Sequence, residues 1–192
     1  MLDVFIVDSR KVNLSDTDML CDERREKLAR LKNENAKRLS LAAELALIQA
    51  VQSVYPSAPL PLLYKRGEHG KPYLCDYPKL YINLSHSGDY AVCAASDCEV
   101  GIDIQQMRRA NLRIAERYFT RQECEYIGGS EARFFELWSK KESYVKATGT
   151  GITVPLNSFS VLENGNGFEF KELTPPENGY VMWACLLKKT DY

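Results

Sequence analysis

Histidine is nearly absent: the 192 residues contain two, His69 and His86. That excludes an HExxH helix, a three-histidine zinc centre and any histidine-rich ligand set. Cysteine is scattered as Cys21, Cys75, Cys93, Cys98, Cys124 and Cys185, with no CxxC pair. Four of the six fall in segments read as strand or helix, where a free thiol behaves as a small buried apolar group. No apolar run reaches the ~18 residues a membrane span needs, and no basic stretch follows Met1. The expectation is a reduced, soluble, cytoplasmic protein with no membrane partner. Neither sign of charge dominates, with 25 Lys+Arg against 26 Asp+Glu and a net charge of −1. This balance argues against coating nucleic acid as the chain's role.

Hydrophobic residues make up 45% and charged ones 27%, enough for a packed core in one domain or two small ones. Residues 2–7 are β-rich. Ser15 and Asp18 resemble a capping box opening a helical stretch that runs to about Val54, broken near Asn33–Asn35 and stopped by Pro56. Strands are expected at Leu62–Arg66, Tyr73–Leu74, Tyr81–Leu84, Tyr90–Ala95 and Val100–Ile104, with turns at Gly67–Gly70 and a hairpin loop over Ser85–Asp89. Helices follow at 111–118, 121–127 and 131–148, then strands at 153–161, 168–172 and 180–188, with Asn164–Gly167 as a turn. Strand, helices, strands thus occurs twice, in 1–97 and in 98–192. The reading is an α+β fold of two similar halves with a ligand site between them.

Three groups of residues can carry chemistry. In Gly101-Ile102-Asp103-Ile104-Gln105, strand periodicity puts Asp103 and Gln105 on one face, a pair of oxygen ligands for a hard cation or simply a polar strand face. On the helix through Phe134, Leu137, Trp138 and Val145, Glu142 and Lys146 are i,i+4 neighbours, either a surface ion pair or a metal ligand beside a phosphate contact. Residues 24–38 hold Arg24, Arg25, Lys27, Arg30, Lys32, Lys37 and Arg38 against only Glu26 and Glu34, a solvated helix face or a phosphate grip. Lys71, in Gly70-Lys71-Pro72, is a turn lysine or a phosphate clamp, and His86 can serve its loop or a ligand.

Gly70-Lys71-Pro72, Asn83-Leu84-Ser85-His86-Ser87, Val100-Gly101-Ile102-Asp103 and Trp138-Ser139-x-Lys141-Glu142-Ser143-x-x-Lys146 occur in this order, continuing through Gly151 to Pro155-Leu156-x-Ser158-Phe159. Over about residues 70–160 the chain resembles the 4′-phosphopantetheinyl transferases of the surfactin-synthetase-activating (Sfp) type. The N-terminal basic helix matches more loosely.

The resemblance implies a pseudo-two-fold α+β monomer with coenzyme A between its halves. It also implies transfer of 4′-phosphopantetheine to a serine of an apo acyl or peptidyl carrier protein of fatty-acid, polyketide or nonribosomal-peptide synthesis. Adenosine 3′,5′-bisphosphate is the by-product. By the family pattern Asp103 and Glu142 hold Mg²⁺, with Mn²⁺ as the alternative ion. Lys146 opposes pyrophosphate charge, Lys71 and His86 contact phosphates of coenzyme A, and Ser85 adds a hydrogen bond. Lys27 and Arg38, with Arg24, are the candidates for gripping the 3′-phosphate. Glu142 is the preferred general base. Glu123 is the alternative, although Thr120 and Glu123 equally form a capping box. Gln105 stands where the family commonly has an acidic residue, so it supplies an oxygen without charge as a third metal ligand and weaker metal binding is expected. The acceptor serine belongs to the partner, so no Ser-His-Asp or Cys-His set is required. Arg109, Arg113, Arg117 and Arg121 recur every four residues and form a basic stripe for an acidic carrier if that region is one helix. The alternative reading is a coenzyme A-binding protein that has lost catalysis. A basic-patch RNA-binding protein is disfavoured by the missing aromatic platform.

Overall fold

The computed structural model describes residues 1–67, 70–165 and 167–188. Glu68 and His69 of the first expected turn and Asn166 of the second lie outside the described residues. Strand β1 (Leu2–Asp8) is followed by helices α1 (Asp22–Arg30) and α2 (Glu34–Val54), the short strands β2 (Tyr64–Arg66) and β3 (Pro72–Leu74), and the hairpin β4 (Tyr81–Ser87) and β5 (Tyr90–Ser96). Then come β6 (Val100–Gln106), α3 (Ala115–Tyr118), α4 (Arg121–Ile127), α5 (Glu131–Thr148), β7 (Phe168–Glu172) and β8 (Tyr180–Leu187). The fold is mixed α/β, with five α-helices and three sheets among the described residues.

The same topology occurs twice. The first sheet has the order β1-β5-β4 and the second β6-β8-β7, each antiparallel throughout. In both, the first strand pairs with the third and the long helix falls between the first and second. Alternation along the strands explains the layering. One face of the first sheet, with Ile82, Cys93 and Ala95, packs on Leu47, Ala50 and Val51 of α2. Its other face, with Val92 and Ala94, meets Ile102, Ile104 and Met182 of the second sheet. The far face of that sheet, with Phe170 and Cys185, covers Phe134, Leu137 and Ala147 of α5.

Two local features align the halves. Side chains of β4 take the place of a backbone ladder along β6: Asn83 Oδ1 accepts from Ile102 N (2.9 Å), Ser85 Oγ from Ile104 N (3.4 Å) and Ser87 Oγ from Gln106 N (2.9 Å). This matched period of two sets Ser85 beside Asp103. Gly101 lets α5 lie against β6, since a Cβ there would stand 1.9 Å from the Ser143 carbonyl oxygen and 2.4 Å from Ala147 N.

Four expectations are corrected. Residues 153–161 form no strand. They make short 3-10 turns at Gly151–Thr153 and Leu156–Ser158, and the carbonyls of Leu156 and Phe159 turn inward to the buried Lys141 Nζ, both at 2.7 Å. The hairpin loop is shorter than expected, because β4 continues through Ser87 and only Gly88 (φ 55°) and Asp89 turn. Ser15 caps no helix: α1 starts at Asp22, and Arg25 holds the preceding turn through the carbonyls of Thr17 and Asp18. The arginine stripe is not one helix. A 3-10 turn (Leu112–Ile114) leads into α3, and the extended Thr120 caps α4 separately, so Arg121 sits on another element and pairs with Glu125.

Candidate active site

Where β4, β6 and α5 meet, charged groups come together that are far apart in sequence. Asp103, 2% exposed, accepts through Oδ1 from Ser85 Oγ (2.9 Å) and Lys146 Nζ (2.6 Å), and through Oδ2 from Gln105 Nε2 (2.8 Å). Lys146 Nζ also donates to Ser85 Oγ at 2.9 Å. Ser139 Oγ donates to the Asp103 carbonyl at 3.0 Å, a second tie between α5 and β6. One helical turn before Lys146, the half-buried Glu142 is close enough to the pair to feel both charges. Burial raises its carboxyl pKa above the usual carboxylate range and Asp103 adds to the rise, while Lys146 opposes it.

This cluster opens through Lys146 into a cavity of about 540 Å³ built mainly from α1, α2, the β2–β3 pair and β4. Lys27, Arg24, Arg66, Lys71, His86 and Lys146 all line it. The cations crowd one another: after burial, Arg24 and Arg66 push the Lys27 ammonium below its ordinary pKa, and Lys146 and Lys27 do the same to the His86 imidazole. Arg24 is fixed at the wall by Glu44 (2.9 Å, both buried) and by the Ser40 carbonyl (3.1 Å), and Tyr64 donates its hydroxyl to Glu44 at 3.3 Å. Burial and the Glu44 charge raise the pKa of that hydroxyl. A phosphate-bearing ligand would relieve the mutual repulsion of these cations.

Lys27, Lys71, Ser85, His86, Asp103, Gln105, Glu142 and Lys146 thus occupy one continuous region, with Arg24 in its wall. Arg38 does not join them. It pairs with Glu34 (2.7 Å), donates to the Val12 carbonyl (2.6 Å) and lines a separate cavity of about 390 Å³ with Arg10 and Arg108, Leu39 standing between the two spaces. The cause is helical phase, for Arg38 and Ser40 point to different sides of α2. Glu123 is also elsewhere. Fully buried, it completes the Thr120 capping box, accepts from Val161 N at 2.8 Å and pairs with Lys141 at 2.9 Å, so both of its oxygens are engaged. Sequence reasoning missed Arg66, Ser40, Glu44 and Tyr64. Ser40 and Glu44 were legible as polar interruptions on the α2 face that carries Leu47, but Arg66 sits in a three-residue strand with no pattern to mark it.

The donors fit a hard divalent cation. Glu142 has no side-chain hydrogen bond or ion pair among the described residues, and it is a desolvated carboxylate beside a second one. Turning the Gln105 amide would present its Oε1 in place of the nitrogen now facing Asp103. Among the described residues no cluster of three or more His, Cys, Asp or Glu forms a metal site, and the third candidate position here, Gln105, is a carboxamide.

The chain is similar in sequence to known proteins. Residues 99–187 match the family model of the 4′-phosphopantetheinyl transferase superfamily, and residues 9–98 match that of a 4′-phosphopantetheinyl transferase N-terminal region. A 4′-phosphopantetheinyl transferase of Bacillus subtilis is 33% identical over 156 residues, 79% of this chain and 70% of that protein. The B. subtilis transferase ffp is 30% identical over 92% of this chain and 88% of its own. Sfp of B. subtilis strain 168 is 30% identical over 83% and 73%. Two family models meeting near residue 98, together with relatives aligned along most of their length, mean that this chain belongs to the 4′-phosphopantetheinyl transferases of the Sfp type and is an enzyme of that family.

Proposed function

We propose that the protein transfers 4′-phosphopantetheine from coenzyme A to a serine hydroxyl of an apo acyl or peptidyl carrier protein, with Mg²⁺ and with release of adenosine 3′,5′-bisphosphate. The observation that carries this reading is the continuity of the Asp103–Glu142–Lys146 cluster with the cationic cavity: a ligand whose nucleotide phosphates lie among Lys27, Arg24 and Arg66 brings its diphosphate to Lys146.

In the reaction the serine oxygen bonds to the phosphorus that carries pantetheine, and the bond from that phosphorus to the bridging oxygen breaks. The serine proton passes to the Glu142 carboxylate, directly or through a water, and the leaving phosphate keeps the bridging electrons. Burial suits Glu142 to this role by raising its basicity. Lys146 Nζ, held by Ser85 and Asp103, faces charge developing on the diphosphate. Asp103, Glu142 and Gln105 would hold Mg²⁺, which when bound neutralises diphosphate oxygens and stabilises the departing phosphate. His86 and Lys71 complete the anion contacts.

Residues 1–97 are assigned the nucleotide and phosphate contacts and residues 98–192 the metal ligands and carrier docking, so a monomer suffices. Arg109, Arg113 and Arg117 are exposed and follow β6 in the chain, and they are the candidates for meeting an acidic carrier. The test is to incubate the protein with coenzyme A, Mg²⁺ and a panel of apo carrier proteins and to read intact mass. One phosphopantetheine added to a carrier supports the reading. Coenzyme A binding with every carrier unmodified points instead to a binding protein without catalysis.

A further inference from the structure

Lys71 lines the phosphate cavity, yet its charge is already compensated. Its ammonium is ion-paired with Glu99 and donates to the Ala147 carbonyl at 2.8 Å, near the C-terminus of α5. Gly149 (φ 67°) keeps this helix end bare, and a Cβ there would stand 3.4 Å from Lys71 Cδ, so the lysine stem crosses over it. Lys71 borders two spaces, the phosphate cavity and a neighbouring groove of about 270 Å³, and Glu99 borders the groove. The Glu99 carboxylate therefore meets the ammonium from the groove.

Another acid on these cations behaves differently. Glu44 is 2% exposed and locked to Arg24 by burial, so it belongs to the cavity wall whether or not a ligand is bound. The Glu99 side chain is 46% exposed. Exposed pairs of this kind are weak and readily exchanged, and a phosphate offers more charge and more acceptor oxygens than a carboxylate.

We propose that Glu99 is an internal competitor for Lys71 and tunes the affinity of this cavity for its polyphosphate ligand. In the free protein the carboxylate holds the ammonium. A phosphate of coenzyme A takes its place on binding, and Glu99 remains nearby as a repulsive charge. The inference rests on the reading that the cavity holds coenzyme A, and it makes Glu99 a positioning residue acting through Lys71.

Calorimetric titration of coenzyme A into wild type, Glu99→Gln, Lys71→Ala and the double variant, at low and high salt, tests it. Steady-state kinetics with one carrier accompany the titrations. The expected result is binding about three- to tenfold tighter for Glu99→Gln at low salt, a change of the size produced by removing one exposed like charge. KM for coenzyme A falls while kcat is unchanged, the gain shrinks at high salt, and it vanishes in the Lys71→Ala background. Binding by Glu99→Gln that is equal to or weaker than wild type overturns the inference, as does an equal gain with Lys71 removed. Wild-type protein that takes up no coenzyme A overturns instead the assignment of the cavity on which the inference stands.

Discussion

Lys146 Nζ lies 2.6 Å from Asp103 Oδ1, and the same oxygen accepts from Ser85 at 2.9 Å. One carboxylate oxygen thus joins helix α5, strand β6 and strand β4 at the seam between the two sheets. The contact depends on how closely α5 lies on β6, and that approach depends on Gly101.

Gly101→Ala is therefore expected to disturb the site as well as the core. The new methyl would meet backbone atoms of Ser143 and Ala147 that cannot rotate away. The expected cost is about 1–3 kcal/mol in denaturant unfolding. The remaining folded enzyme should show a kcat lowered by roughly tenfold or more, because small misplacements of catalytic groups are costly. Unchanged stability and kcat would mean that α5 is free to shift.

Glu123→Gln separates a structural carboxylate from a catalytic one. Removing its charge leaves Lys141, fully buried, without its carboxylate. The expected loss is about 3–5 kcal/mol in stability, with kcat per folded molecule retained. Full stability with collapsed kcat would make Glu123 the base.

His86 gives the cavity a proton linkage. Burial, then Lys146 and Lys27, hold the imidazole below its ordinary pKa of 6.5. Its contribution to folding is full above that value and is lost as pH falls through the lowered one. A bound polyanion reverses the shift, so binding takes up a proton and coenzyme A binds more tightly near pH ~6 than near pH ~8. Calorimetry in buffers of different ionisation enthalpy reads this uptake, and His86→Gln should abolish its His86 component.

Charge reversal of Arg113 and Arg117 tests the carrier surface. KM for the carrier should rise about tenfold at low salt and less at high salt, with KM for coenzyme A unmoved. An unaltered carrier KM removes these arginines from docking.

Gln105→Glu supplies the charge that this chain lacks beside Asp103. The Mg²⁺ concentration giving half-maximal rate should fall, and an unchanged requirement in a metal titration speaks against Gln105 as a ligand.

Much of the geometry of the candidate seam was legible from one dimension because strand and helix periods decide it. Asp103 and Gln105 alternate with the buried Ile102 and Ile104, and Glu142 and Lys146 stand one turn apart on a capped helix. What local pattern could not show is what distant elements exchange. Arg38 belongs to the same basic run as Lys27 but is turned to another cavity by its phase on α2. Residues 153–161 have strand-like composition, yet their carbonyls are claimed by the buried Lys141, and Pro155 withholds a donor. Glu99 and Lys71 are 28 residues apart, and no spacing rule joins a pre-strand acid to a hairpin lysine.

The most direct measurement compares wild type with Asp103→Asn, following the intact mass of an apo carrier in the presence of coenzyme A and Mg²⁺. Wild type should add one phosphopantetheine per carrier, and Asp103→Asn should still fold and bind coenzyme A but transfer roughly a thousandfold more slowly or not at all. Transfer by Asp103→Asn at the wild-type rate would contradict the assignment of chemistry to this seam.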